Sequence, residues 1–318
     1  MGGPLVLHER DDFADLLTTV GEQTGAGAAL VEKDYWVTEA LRVIAGSFFG
    51  GVVFKGGTSL SKAWSLIERF SEDIDLLIRS DGDGLESRGA RDRYMKEIAA
   101  AVGAINGMDP VGDGGRAERG ISRTAVYAYE LRAPAREGLG ATIVLEMGIR
   151  GGPHPTEVRT LRSMLAAALA DTGIEDESMQ PFDMTVLDPR RTLVEKLFAI
   201  HCACELWSEG RTSALQRQGR HLPDIYSLLG DAAIAEFAGC EDYYALIPEV
   251  DEFGRTYFSR DHRTPEGMRF SESRSLRPGD ELRAAIEAEY RRSAFLFYGP
   301  VPTLEAIYAR LEEFRLRL

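Results

Sequence analysis

The segment that most restricts the fold is Phe54-Lys-Gly-Gly-Thr-Ser-Leu-Ser-Lys62, followed by Arg69-Phe-Ser-Glu-Asp-Ile-Asp75. Val52-Val-Phe54 is apolar and reads as a short buried strand. Gly56-Gly57 turns the chain, and a short helix opens at Thr58. Asp73-Ile-Asp-Leu-Leu-Ile78 reads as a second strand, in which carboxylates alternate with apolar side chains. The two-residue period of a strand puts Asp73 and Asp75 on one face. Glycine lets a backbone approach a ligand closely, and the amides that open a helix, with the Thr58 and Ser59 hydroxyls, can bind phosphate oxygens. Two adjacent carboxylates in a half-buried site repel, and a divalent ion relieves that repulsion. Oxygen-only donors of this kind suit Mg²⁺ or Mn²⁺ bridged to substrate phosphates. Alone, a Gly-Gly is ordinarily just a turn, and an Asp-x-Asp is ordinarily a solvated edge. Together, in this order and on apolar strands, they point to a nucleotide site.

A third carboxylate is Glu146 in Ala141-Thr-Ile-Val-Leu-Glu-Met147, where Thr142, Val144 and Glu146 share one strand face. An acid in an otherwise apolar strand is costly unless paired, metal-bound or wet. On a sheet beside Asp73 and Asp75, Glu146 could complete a two-metal site. At the edge of a sheet it would simply face water.

The rest of the chain frames this centre. Helices are expected over residues 12–24 and 28–47, the second with Val31, Tyr35, Thr38, Leu41 and Ile44 on one face. Further expectations are a helix over 88–102, a loop over 103–120, strands over 123–131 and 141–149, a helix over 160–170 and a strand over 184–187. Beyond Pro189 the pattern is helical apart from a loop around 259–278. The 318 residues suit about two domains. The expected boundary lies near residue 180, with an α/β domain over 1–180 and a helical domain over 181–318.

Composition narrows the function classes. A net charge of −14 disfavours sequence-independent binding to polyanions, although a local basic cleft stays open. Three cysteines, Cys202, Cys204 and Cys240, are too few for a disulfide framework and read as buried thiols. The five histidines, His8, His154, His201, His221 and His262, show no ligand spacing. No apolar run approaches the ~20 residues that span a bilayer. The start, Met1-Gly-Gly-Pro-Leu-Val6, lacks the pattern of a secretory leader, so the expected location is the cytoplasm.

Lys55-Gly-Gly-Thr-Ser-Leu-Ser-Lys62 and Arg69-Phe-Ser-Glu-Asp-Ile-Asp-Leu76 resemble the signature of the AbiEii-type, or MenT-like, toxin nucleotidyltransferases of the DNA polymerase β-like superfamily. The resemblance extends through Val31-Glu-Lys-Asp-Tyr-Trp36, Leu193-Val-Glu-Lys-Leu-Phe-Ala199, Arg220-His-Leu-Pro-Asp-Ile-Tyr226 and Phe297-Tyr-Gly-Pro-Val-Pro302. The fourth of these departs from the common Arg-Asp-x-Tyr-Asp-Leu, because Pro223 precedes Asp224 and Ser227 follows Tyr226; a helix start at Asp224 is expected. The resemblance implies an α+β fold, a mixed sheet with flanking helices and a C-terminal helical domain that completes the nucleotide and acceptor cleft. It implies transfer of a nucleoside monophosphate from an NTP to the 3′ end of tRNA by a toxin that has a cognate antitoxin. Gly56, Gly57, Thr58 and Lys62 would hold the triphosphate and Asp73 and Asp75 the metal. Lys196 would offer a cation to the phosphates, and Asp224 would sit near the nucleotide or that lysine.

Lys196 lies among Leu193, Val194, Leu197 and Phe198, where a lysine can also extend its head to water, and Lys33 allows the same reading. Arg190, Arg191, Lys196, Arg211, Arg217, Arg220 and His221 concentrate positive charge and could grip an RNA end facing the Asp pair, or form a solvated face. Ser71, two residues before Asp73, is a candidate regulatory position: a phosphate there would repel the triphosphate, while a bland serine would only tighten the turn. The competing functions are a nucleotidyltransferase for a small molecule or a protein hydroxyl, and a non-catalytic nucleotide-binding interaction protein.

Overall fold

A computed structural model of the protein describes residues 6–71, 73–80, 84–112, 115–174 and 176–318. Glu72 of the Arg69–Asp75 motif and residues 1–5, on which the leader reading rests, lie outside the described residues. The chain divides into two compact units: Met1–Ala63, Phe70–Ile149 and Thr156–Val186 form one, and Trp64–Arg69, Arg150–Pro155 and Leu187–Leu318 form the other. A single boundary near 180 therefore misses two short early segments that belong to the second unit. Tertiary bonds hold them there. Trp64 Nε1 donates to the Leu187 carbonyl at 3.1 Å, the Asp188 amide donates to the Pro155 carbonyl at 3.0 Å, and Arg191 Nη1 donates to the His154 carbonyl at 2.7 Å.

The first unit runs α1 (Phe13–Thr24), α2 (Ala28–Phe48), β1 (Val52–Lys55), α3 (Gly56–Lys62), β2 (Asp73–Ile78), α4 (Arg88–Gly103), β3 (Met108–Pro110), β4 (Ala117–Glu118), β5 (Ser122–Tyr129), β6 (Thr142–Gly148), β7 (Thr156–Leu161), α5 (Met164–Ala168) and β8 (Phe182–Leu187). One mixed sheet has the order β3-β5-β6-β2-β1-β8-β7, with β4 beside β5. Its centre is β2, antiparallel to β1 and parallel to β6. Ile74, Leu76 and Ile78 of β2 are buried, as are Ile143, Leu145 and Met147 of β6. The alternation in β6 fixes its register, since a slip of one residue would turn its three buried apolar side chains outward.

Helix α2 is buried on nearly every side, so its charged residues need partners. Glu32 accepts the amides of Arg132 and Ala133 at 2.9 and 3.0 Å. Burial still pushes its carboxyl above the usual range. Lys33 donates to the Gly140 carbonyl at 3.1 Å, and Asp34 accepts the Met164 amide at 2.6 Å. The motif Val31–Trp36 is thus a tether within this unit.

Two expectations need correction. Residues 160–170 are not one helix: Thr156–Leu161 is a strand, and only Met164–Ala168 is helical. Strand β7 lies at the sheet edge with most of its side chains wet, so the two-residue hydrophobic period is absent. The loop over 103–120 contains the short edge strands β3 and β4.

The second unit contains α6 (Pro189–Ser208), α7 (His221–Leu228), α8 (Ala232–Phe237), α9 (Glu241–Tyr257), α10 (Asp280–Arg292) and α11 (Leu304–Phe314). Asp188 caps α6 by accepting the Arg190 amide at 2.8 Å, and Pro189 opens the helix where no amide is required. Helix α7 starts at His221 rather than Asp224; Pro223 is accommodated in its first turn. The loop after α9 is fastened by Asp251, which accepts His262 Nε2 and Thr264 Oγ1, each at 2.7 Å. Cys204 is buried, with its thiol pushed up to about 12 by burial, whereas Cys202 is half-buried. Among the described residues no helix is long and apolar enough to cross a membrane.

Candidate active site

In the first unit, strand β1 leads into α3 through Gly56, whose φ of +79° favours glycine. A Cβ at Gly56 would overlap Asp75 Oδ2 and lie 2.9 Å from Asp75 Cγ, so the missing side chain makes room for that carboxylate. Thr58 Oγ1 donates to the Asp73 carbonyl at 2.5 Å, which ties the start of α3 to the start of β2. Asp73 is buried and Asp75 half-buried, on the same face of β2. The sheet register sets Lys55 opposite Asp75 on one side and Glu146 opposite Asp75 on the other, with Thr124 next beyond Glu146. Directly opposed residues in neighbouring strands point to the same face. Lys55, Asp75 and Glu146 therefore form a row of one cation followed by two neighbouring carboxylates. Lys55 had no assigned role in the sequence; the signal was its position directly before the glycine turn, but only the register shows its neighbour.

Several expected ligands are engaged elsewhere. The Thr58 and Ser59 hydroxyl protons go to the backbone carbonyls of Asp73 and Gly56 and not outward to a phosphate. Lys62 Nζ is 2.6 Å from Asp34 Oδ1 and donates to the Arg162 carbonyl at 3.3 Å, so its charge is answered within the unit. Ser71 is only 4% exposed, which places it out of reach of a modifying enzyme rather than at an open mouth. Glu146 is exposed. Among the described residues no group of three or more His, Cys, Asp or Glu is gathered to hold a metal ion. The pair Asp73 and Asp75 still fits a hard divalent cation: the donors are oxygen alone and they share one face.

The second unit holds a buried charged cluster. Arg69 is 1% exposed and forms a fork on Asp224, with Nε to Oδ1 and Nη2 to Oδ2 each at 2.6 Å. Lys196 Nζ, on α6, lies 2.7 Å from the same Oδ2. Burial alone would push the Asp224 carboxyl up, but the Arg69 and Lys196 cations outweigh it and hold it far below the ordinary carboxylate range. Burial pulls Lys196 down, against the attraction of Asp224. His221 is driven well below its usual value by burial and by the neighbouring Lys196. Asp224 lies beside Lys196, one of the two places the resemblance allowed, and it also carries Arg69, which the sequence motifs do not reveal.

The expected basic surface is largely neutralised. Arg190 pairs with Asp188, Arg191 with Glu195 and Glu249, and Arg211 with Asp261. Arg191 is fully buried.

A mixed sheet with flanking helices, joined in sequence to a helical unit, is the architecture of a nucleotidyltransferase, and the comparisons with known proteins agree. The chain belongs to the nucleotidyl transferase AbiEii toxin family of type IV toxin–antitoxin systems, which it matches over residues 40–310. Its fold is similar to that of MenT4, a nucleotidyltransferase toxin from Mycobacterium tuberculosis H37Rv, with a TM-score of 0.52 and 15% identity over 94% of this chain and 98% of that one. No curated protein matches it in sequence.

Proposed function

We propose that this toxin transfers a nucleoside monophosphate from an NTP to an RNA 3′ hydroxyl, that of tRNA, with Mg²⁺ or Mn²⁺ held by Asp73 and Asp75. The observation that carries the reading is the carboxylate pair on the central strand β2, with the Asp75 side chain packed against Gly56. A divalent ion there would withdraw charge from the phosphates and ease deprotonation of the attacking hydroxyl. Asp73 and Asp75 orient the charge; Gly56, Gly57 and the Thr58 backbone give the triphosphate close approach. Lys196 answers phosphate charge. The acceptor oxygen bonds to the α-phosphorus as the bond to the β-phosphate oxygen breaks, and pyrophosphate leaves. Such a reaction on tRNA would halt growth, and a cognate antitoxin would neutralise it.

The test is incubation with each of the four labelled NTPs, Mg²⁺ and total tRNA, repeated with EDTA. Label appearing in tRNA, lost with EDTA, supports the reading. The internal pairing of the basic residues favours a second reading, a small-molecule or protein hydroxyl as acceptor. Label found only in a metabolite or protein pool would replace tRNA with that acceptor. Expression in a bacterium supplies the cellular arm: wild type should arrest growth, and Lys196→Ala should relieve the arrest at equal expression.

A further inference from the structure

Arginine seldom leaves water without compensation, yet Arg69 is among the largest fully buried side chains of the chain. Its neighbourhood is built to keep it there. The Glu68 carbonyl accepts the amides of Tyr298 and Gly299 at 3.1 and 3.2 Å, and Arg69 itself bridges to Phe297. Gly299 is required for that approach, because a Cβ would overlap Glu68 Oε2 and stand 2.7 Å from Glu68 Cδ. Three separated sequence motifs, around Arg69, Asp224 and Gly299, therefore meet at one place in the second unit. The guanidinium fork occupies both oxygens of Asp224, and Lys196 shares Oδ2.

We infer that Arg69 is a positioning residue for nucleotide transfer, acting through Asp224 to fix the place and preserve the positive charge of the Lys196 ammonium. The inference rests on the proposed role of Lys196 toward the phosphates. Arg69 and Lys196 share the one Asp224 carboxylate, so Asp224 does not give both of its oxygens to Lys196. Without Arg69, both Asp224 oxygens are released to Lys196. The two would close into a neutral ion pair, and the ammonium would be spent on a carboxylate instead of a phosphate. Without Asp224, two cations would face each other in a buried setting. Arg69 cannot give up its proton, so Lys196 would. Arg220 and the neutral His221 face the same ammonium and supply no anion to replace Asp224. A lysine in place of Arg69 keeps the charge and loses the two-pronged grip.

The experiment measures affinity for ATP, GTP, CTP and UTP with Mg²⁺ by calorimetry, and steady-state transfer to total tRNA, from neutral to alkaline pH. The variants are Arg69→Lys, Arg69→Met, Lys196→Ala and the double replacement Arg69→Met with Asp224→Leu. Arg69→Met should raise the NTP KM and Kd by about 10-fold with kcat nearly unchanged, since phosphate charge is present in ground and transition states alike. Arg69→Lys should recover part of that loss. Breaking a buried pair can unfold a protein, whereas replacing both partners with apolar residues is often tolerated, so the double variant keeps the test open. Its NTP affinity should fail at lower pH than that of the wild type, by about one unit or more, as Lys196 loses its counter-ion. A folded double variant with wild-type NTP affinity and an unmoved alkaline limb overturns the inference and leaves Arg69 a structural pin. If Lys196→Ala leaves NTP affinity unchanged, the phosphate role of Lys196 falls, and the inference with it. If Lys196→Ala weakens NTP binding but neither Arg69 variant does, only the inference about Arg69 falls.

Discussion

Replacing Gly56 with alanine separates backbone geometry from chemistry at the carboxylate pair. Gly56 has φ of +79°, and a Cβ there would overlap Asp75 Oδ2 and stand 2.9 Å from Asp75 Cγ. The left-handed backbone costs a non-glycine residue about 1–2 kcal/mol. Forcing Asp75 off its rotamer adds about 0.5–1.5 kcal/mol. Together these predict a fall in Tm of roughly 4–10 °C for a folding unit of this size. The catalytic effect should be larger. To clear the new methyl group the Asp75 carboxylate must retreat by about 1 Å, a misplacement that can cost about 100-fold in rate. The assay pairs a thermal melt with transfer of label from NTP under Mg²⁺. Gly46→Ala, in α2 with nothing within 4 Å of the new Cβ, is the control. It should gain about 0.5–1 kcal/mol from helix propensity and keep full activity. A Gly56→Ala protein that melts with the wild type and transfers at the wild-type rate would show that neither the strain nor the displaced carboxylate is real.

Asp73→Ala and Asp75→Ala should each lower transfer by about 10³-fold or more while Tm holds or rises, because each removes a negative charge from a repelling pair; retention of more than about a tenth of the activity would count against the mechanism. Lys62→Met strands the Asp34 carboxylate and should cost about 3–5 kcal/mol in a denaturant melt, given side-chain exposures of only 5% and 9% in the pair. A Lys62→Met protein of unchanged stability and weakened NTP binding would instead return Lys62 to the nucleotide. Burial holds His201 down to about 4, while the unfolded chain titrates near 6.5, so the unfolded state takes up the proton first. Stability should therefore be whole above pH 6.5 and decline as pH falls toward 4, by roughly 3 kcal/mol from this residue. His201→Asn should flatten that decline in melts run across the same range, and an unchanged slope would assign it to other groups. Ser71→Asp should lower Tm by burying a new charge, and an unchanged melt would show the position to be accessible after all.

Features governed by near neighbours were legible along the chain. Gly56-Gly57 between an apolar strand and a polar helix start, and the alternation Asp73-Ile-Asp75, specify a turn and a shared face within twenty-odd residues, and the structure shows the strands and helix there. Long apolar repeats likewise disclosed α2 and the helices beyond Pro189. Edge elements escaped: β7 has no buried face along most of its length, so it carries no periodic signal. Individual partners escaped for a deeper reason. A lysine looks the same in a sequence whether its ammonium meets water, phosphate or carboxylate. Only the packed chain joined Lys62 to Asp34, set Lys55 and Glu146 beside Asp75, and brought Arg69 to Asp224 across 155 positions. Each of those choices depends on which groups lose water together. That is decided by the register of strands and the packing of helices distant in sequence, not by the residues on either side.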